Sequence, residues 1–193
     1  MNIWFAKSVI LIAAIVMVVI RAPHGKRSQT LRVVESRKGT LEVFLLSIAW
    51  IAFLLPLLWI VTPWLSFADF PLSPVAFLSG TTCLAVGLWL FHRSHVDLGT
   101  NWSISLELRE SHRLITEGLY RNVRHPMYTA LLLYGIGQVL AVPNRIVGPS
   151  YLIAMVVLVA FRLGPEEALM RSRFGSAYDD YASRTKRLVP RIW

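Results

Sequence analysis

Apolar residues fall in five blocks, at 3–20, 41–61, 72–91, 127–142 and 146–161, with the charged residues gathered between them. Each block is apolar on all sides rather than along one stripe, which predicts helices surrounded by lipid. Of the five, 127–142 and 146–161 are shorter than the roughly 20 residues that a bilayer requires, so both helices are expected to extend past their apolar limits. The sequence Pro143-Asn144-Arg145 between them reads as a tight turn, sending the chain into the membrane and back. Pro56 lies inside the second block and predicts a lost helical hydrogen bond there. Thr62-Pro63 and 70–74 read as loop or helix-start signals.

Composition supports this patterning: 55% of the 193 residues are hydrophobic, as expected of an all-α, polytopic membrane protein with five transmembrane helices. The first block has no small-x-small cleavage pattern and runs straight into Arg21, so it reads as a retained span. A lone Cys83 excludes an intrachain disulfide and a cysteine-based metal cluster.

Charge changes the picture by giving it an orientation. Segments 21–39, 92–125 and 162–193 carry six, five and seven of the 20 Lys and Arg residues. The positive-inside rule places all three in the cytoplasm, with the N-terminus outside and the C-terminus inside. The net charge of +9 then follows from topology and attraction to anionic headgroups. Nucleic-acid binding is not expected, because the basic residues are dispersed and no recognition motif accompanies them. The chain divides accordingly into a three-helix transmembrane scaffold at 1–91 and a cofactor-binding, catalytic region at 92–193.

Candidate chemistry concentrates in that second region. Arg124-His125-Pro126-Met127-Tyr128 precedes the fourth block, and Arg162 with Glu166-Glu167 follows the fifth, so the hairpin brings both groups to one membrane face. Ionisable groups at membrane depth are costly and mark binding or reaction sites. Pro126 suits a first helical turn, whose positive end beside Arg124 and His125 suits a carboxylate or phosphate. The stretch 92–125 reads as a long cytoplasmic loop holding four of five histidines, with Asn101 and Trp102. Gly164-Pro165 reads as a break before a terminal amphipathic helix on which Phe174, Tyr178 and Tyr181 share one face, placed to lie over the site as a lid.

Each element has a plainer alternative. The arginines at span ends serve equally as interfacial anchors, and the two glutamates as complements to a helix start. His92, His95 and Asp97 lack a fourth ligand, so no metal is expected. Gly135 and Gly137 read as close helix packing rather than a nucleotide motif, since no strand precedes them.

The run 112–120 (His-Arg-Leu-Ile-Thr-Glu-Gly-Leu-Tyr), then Arg124-His125-Pro126-Met127-Tyr128, Glu166-Glu167, and Phe174-Gly175-x-x-Tyr178-x-x-Tyr181 resemble, in that order, the isoprenylcysteine carboxyl methyltransferase family. The resemblance covers about residues 98–190 and implies an integral-membrane enzyme that uses S-adenosyl-L-methionine. By position it implies a cofactor pocket lined by His112, Leu114, Ile115, Tyr120, His125, Pro126, Met127 and Tyr128, with Glu166 touching the cofactor and Glu167 beside it. Arg162 is placed at the methyl acceptor. For a carboxylate acceptor no base is needed; for an amine, Glu167, His125 or Tyr128 must take a proton. The glutamine that animal members carry aligns near Ser105, so the acceptor is not fixed. Three readings stay open: O-methylation of a lipophilic carboxylate, N-methylation of a phospholipid headgroup, and a non-catalytic membrane scaffold. The acceptor is expected from the bilayer, and the oligomeric state is left open.

Overall fold

A computed structural model describes residues 2–29, 33–36, 39–101, 107–109 and 113–192, with side chains omitted at 25–29, 33–36, 100 and 107–109. The described chain is almost entirely helical. Helices α1 (Ile3–Gln29), α2 (Thr40–Val61), α3 (Pro74–Leu98), α4 (Pro126–Ala141), α5 (Val147–Phe174) and α6 (Ser176–Arg184) follow in order. Two short strands, β1 (Val33–Ser36) and β2 (Glu107–Arg109), pair antiparallel and tie the α1–α2 connection to the α3–α4 connection.

Four helices are long and apolar enough to cross a membrane: α1, with 3–24 as its apolar part, α2, α3 and α5. Helix α4 is apolar but has 16 residues, so the expected five blocks appear as four candidate spans and one shorter helix. The outward faces of the spans are rich in exposed apolar side chains such as Phe44, Ile51, Leu78, Trp89 and Ile153. That surface suits lipid, which solvates it as readily as a protein neighbour would.

Small residues set how closely the helices approach. A Cβ built on Gly137 of α4 would lie 2.7 Å from the Leu84 backbone nitrogen of α3, and one on Gly80 would lie 2.5 Å from that of Ala141. Gly135, on another face of α4, is as tight against α5, where its Cβ would lie 2.9 Å from Leu152 Cα. The two glycines therefore seat two neighbours, as their spacing predicts. Because the obstacle is backbone, Gly137→Ala is expected to cost about 1–3 kcal/mol by overpacking. Gly164→Ala, with open space around it, serves as the control; thermal unfolding in detergent should show a lowered midpoint for Gly137→Ala alone.

The α4–α5 turn is anchored by a buried polar node. Asn144 accepts from the Ile146 and Val147 amides at 3.0 and 2.8 Å, while its amide donates to Leu65 O and to Asp69 Oδ1, both at 2.7 Å. Asp69 Oδ1 also accepts from Trp59 Nε1 at 2.8 Å, linking the turn to α2.

Two expectations are corrected here. The stretch 92–125 is not one long loop, because α3 continues through His92 and His95 to Leu98. His95 is fully buried, with Nδ1 2.8 Å from Phe91 O, as a helix-packed side chain rather than a loop residue. Nor does the chain break at Gly164-Pro165. Helix α5 passes through Pro165 and stops at Gly175, whose φ of +54° suits a residue without a Cβ. Proline removes one hydrogen bond, and the surrounding packing carries the helix across the gap. Consequently Phe174 ends α5, while Tyr178 and Tyr181 belong to the nine-residue α6.

Candidate active site at the α4–α5 helix ends

The hairpin does unite the two polar groups. His125 caps α4 and Pro126 occupies its first turn, so Tyr128 lies one turn in and faces the last third of α5. Glu166 and Glu167 are consecutive on α5 and therefore point about 100° apart. Glu166 Oε2 accepts a hydrogen bond from the Tyr128 hydroxyl, and its Oε1 is 3.6 Å from His125 Nδ1. Glu167 Oε1 accepts from Arg124 Nε at 3.0 Å and is 3.4 Å from His125 Nε2, while Oε2 accepts from Arg187 Nη2 at 3.0 Å. The imidazole thus sits between two carboxylates and stacks on the Tyr128 ring at 5.5 Å.

Burial disfavours charge on His125, but its hydrogen bonds to Glu166 and Glu167 outweigh that and hold its pKa above the ordinary histidine value. The phenols of the surrounding wall are also driven up, which for them favours the neutral form. Burial pushes Tyr178 up to about 12 and, with the Glu166 charge, Tyr120 far above its usual range. These hydroxyls remain protonated donors.

The C-terminal segment closes one side. The amides of Arg124 and His125 donate to the carbonyls of Lys186 and Arg187 at 2.8 and 3.0 Å, and Thr129 Oγ1 donates to Leu188 O at 2.7 Å. Tyr181 donates to Tyr120 O at 2.7 Å, and Arg124 Nη1 donates to the carbonyls of Ala182, at 2.9 Å, and Thr185. Helix α6 is therefore stitched to the start of α4.

Together these elements enclose a cavity of about 220 Å³. Of the residues singled out from sequence, Leu114, Ile115, Tyr120, His125, Met127, Tyr128, Arg162 and Glu166 line it. Pro126 lies behind the wall as part of the α4 start. Glu167 also lies behind it, engaged with Arg124, His125 and Arg187, a position suited to holding the wall rather than touching a ligand. His112, Trp102 and Ser105 fall outside the described residues.

The first two helices contribute what sequence reasoning does not single out. Met17 and Arg21 of α1 and Leu46, Trp50 and Phe53 of α2 line the same cavity, with the Arg21 guanidinium 5.0 Å from the Trp50 ring centroid. Glu42, near the start of α2, is buried with its Oε1 3.6 Å from Arg162 Nη2. An acidic residue at the edge of an apolar block is the signal that marks it, by the same cost argument that marks Arg162.

One wall atom indicates a polar ligand. Tyr178 is 2% exposed, lines the cavity, and among the described residues its hydroxyl has no hydrogen-bond partner. A buried hydroxyl left so costs about 1–3 kcal/mol, which a bound polar group would recover. With the Glu166 carboxylate, the His125 imidazole and an apolar lining, these residues fit a zwitterionic nucleoside.

Comparison with known proteins agrees with the motifs. Residues 80–172 match the model of the isoprenylcysteine carboxyl methyltransferase family. Protein-S-isoprenylcysteine O-methyltransferase B of Arabidopsis thaliana is 29% identical over 113 residues, 58% of this chain and 57% of that one. The corresponding enzymes of Schizosaccharomyces pombe and Homo sapiens are each 30% identical, over 56% and 63% of this chain and 47% and 44% of theirs. The chain thus spans about half the length of the curated relatives it matches. The solved structure of the eukaryotic intramembrane Ras methyltransferase, isoprenylcysteine carboxyl methyltransferase, aligns with a TM-score of 0.52 at 24% identity, over 82% of this chain and 55% of that one, which shows a shared fold. The segment that carries His125, Tyr128, Arg162, Glu166 and Glu167 is therefore a match to the isoprenylcysteine carboxyl methyltransferase family, as the motifs imply.

Proposed function

We propose that this chain is an integral-membrane methyltransferase that moves a methyl group from S-adenosyl-L-methionine to the carboxylate of a lipophilic acceptor. The observation that carries the reading is the single cavity in which Glu166, His125 and Tyr128 form a polar wall continuous, through Arg162, with an apolar wall from α1 and α2. The family match and the names of the relatives support the same chemistry. In this reading α4 completes a fifth span and α6 lies as an amphipathic helix on the cytoplasmic face. The N-terminus is outside, and residues 92–193 supply the catalytic region.

The bound cofactor supplies an electrophilic methyl carbon on a sulfonium, whose sulfur leaves as a neutral thioether. The protein's part is to bind, align and exclude water. Glu166 receives the cofactor's ammonium or ribose hydroxyls, Tyr120 and the neighbouring apolar residues flank the adenine, and the α4 N-terminus beside His125 favours its carboxylate. Arg162 holds the acceptor carboxylate by charge-assisted hydrogen bonds. That carboxylate is already ionised at neutral pH, so the displacement at carbon requires no general base. Alignment of this kind supplies about 7–11 kcal/mol in intramolecular analogues. Among the described residues, Arg21, Arg113, Arg124 and Arg162 line the cavity against one acidic residue, Glu166. Cations outnumber carboxylates along that lining, which favours an anionic acceptor over the ammonium of a phospholipid headgroup, even with Glu167 and Glu42 behind the wall paired to Arg124 and Arg162.

The test is to incubate membranes containing the protein with methyl-tritiated cofactor and a farnesylated N-acetylcysteine. Label in base-labile ester, lost in Arg162→Ala, is the expected result. Label in choline-type lipid would establish N-methylation instead, and no label in any lipid pool would leave the scaffold reading.

A further inference from the structure

The residue that the proposed reaction assigns to the acceptor carboxylate already faces a carboxylate. Arg162 of α5 and Glu42 of α2 are both buried, at 8% and 6–7% exposure, and approach to 3.6 Å between Nη2 and Oε1. Arg162 also lies 4.0 Å from Glu166 Oε2, so its guanidinium stands between the cofactor wall and the α2 side of the cavity. Both separations exceed ordinary charge-assisted hydrogen-bond lengths of about 2.7–2.9 Å. Glu42 lies outside residues 80–172, in the half of the chain that the family match does not reach.

We infer that Glu42 is a specificity-determining residue that occupies Arg162 in place of the acceptor's acid group and competes with it. The inference rests on the assignment of Arg162 to the acceptor. Its physical basis is that a second carboxylate drawn to the same guanidinium in a low-dielectric pocket meets the charge of the first. Like charges that close disfavour one another strongly. Binding an acid therefore requires Arg162 to turn from Glu42 toward the cavity that it lines, and the cost of parting that pair is subtracted from acceptor affinity. A neutral acceptor would not contest the pair. Glu42 thus sets how anionic, and how well matched to Arg162, an acceptor must be. Leu46 and Trp50, one and two turns further along α2, line the cavity in which that acceptor's hydrocarbon would lie.

The experiment compares wild type with Glu42→Gln, which keeps the shape and removes the charge. Equilibrium binding of a farnesyl thioether carboxylic acid and of its primary amide to the detergent-solubilised, cofactor-product-loaded protein is measured, alongside KM and kcat for the farnesylated N-acetylcysteine. Competition predicts that Glu42→Gln binds the acid roughly tenfold more tightly, leaves the amide unchanged and lowers KM. A residue that merely positions Arg162 would instead give weaker acid binding with a higher KM and lower kcat, and that result overturns the inference, as does unchanged acid affinity. Glu42→Ala, read by the same binding pair, covers the case in which the amide of glutamine makes its own bond to Arg162. The binding arm does not require turnover: an acid that binds but is never methylated refutes the proposed reaction while still deciding the role of Glu42.

Discussion

Glu167→Ala is expected to lower stability by about 3–5 kcal/mol, the range for removing one partner of a buried charged cluster. The carboxylate is 6% exposed and meets Arg124, His125 and Arg187 at once. His125 is buried and the Arg124 side chain is only 11% exposed, so its loss strands charge rather than merely deleting contacts. Arg124 and His125 also receive the C-terminal segment through the Lys186 and Arg187 carbonyls. Loosening them should free α6. Thermal unfolding in detergent should show the lower midpoint, and limited tryptic digestion should cut faster at Lys186 and Arg187. Arg187→Ala is the informative control, because its side chain is 43% exposed. A pair with one solvated partner is worth only about 0–1 kcal/mol. Equal losses in the two variants would show that Glu167 acts through Arg187 alone and is not the centre of the cluster.

What sequence reveals about this site follows from which interactions are local. The turn at Pro143-Asn144-Arg145 and the apolar blocks on either side require that His125 and Glu166 meet, because an antiparallel hairpin has no other way to place its ends. The packing role of Gly135 and Gly137 is legible for a similar reason, since only close backbone approach explains two glycines within an apolar helix. Expectation fails where tertiary packing overrides a local signal. Gly164-Pro165 carries a strong breaker signature, yet α5 is continuous to Phe174 because flanking side chains bind α2, α4 and the C-terminal segment. His92 and His95 read as loop residues from their polarity, while buried His95 packs edge-on against Phe91, with ring centroids at 4.3 Å. The contributions of Arg21 and Trp50 are invisible for a different reason. Their meaning depends on where α1 and α2 dock, and nothing in an all-round apolar helix specifies which face turns inward.

Glu166→Gln should weaken cofactor binding roughly 10- to 100-fold, because a hydrogen bond to a charged group contributes about 1.5–3 kcal/mol and each 1.4 kcal/mol is tenfold. The same variant should also change how stability depends on pH, which separates an electrostatic role from a purely spatial one. Burial works against His125 charging, and Glu166 and Glu167 together raise its pKa above the unfolded value, which is about 6.5. A group whose pKa is raised by folding contributes its full stabilisation below the unfolded value and loses it as pH climbs through the folded value. Glu166→Gln removes part of what raises His125, leaving Glu167 to hold the imidazole. The stability difference between wild type and variant should therefore be widest near pH 6 and narrow as pH rises through the folded pKa of His125. Denaturation midpoints in detergent between about pH 6 and 9 measure it directly. A gap of constant size across that range would mean that Glu166 acts through Tyr128, whose hydroxyl it accepts, and that the imidazole between the two carboxylates is neutral throughout.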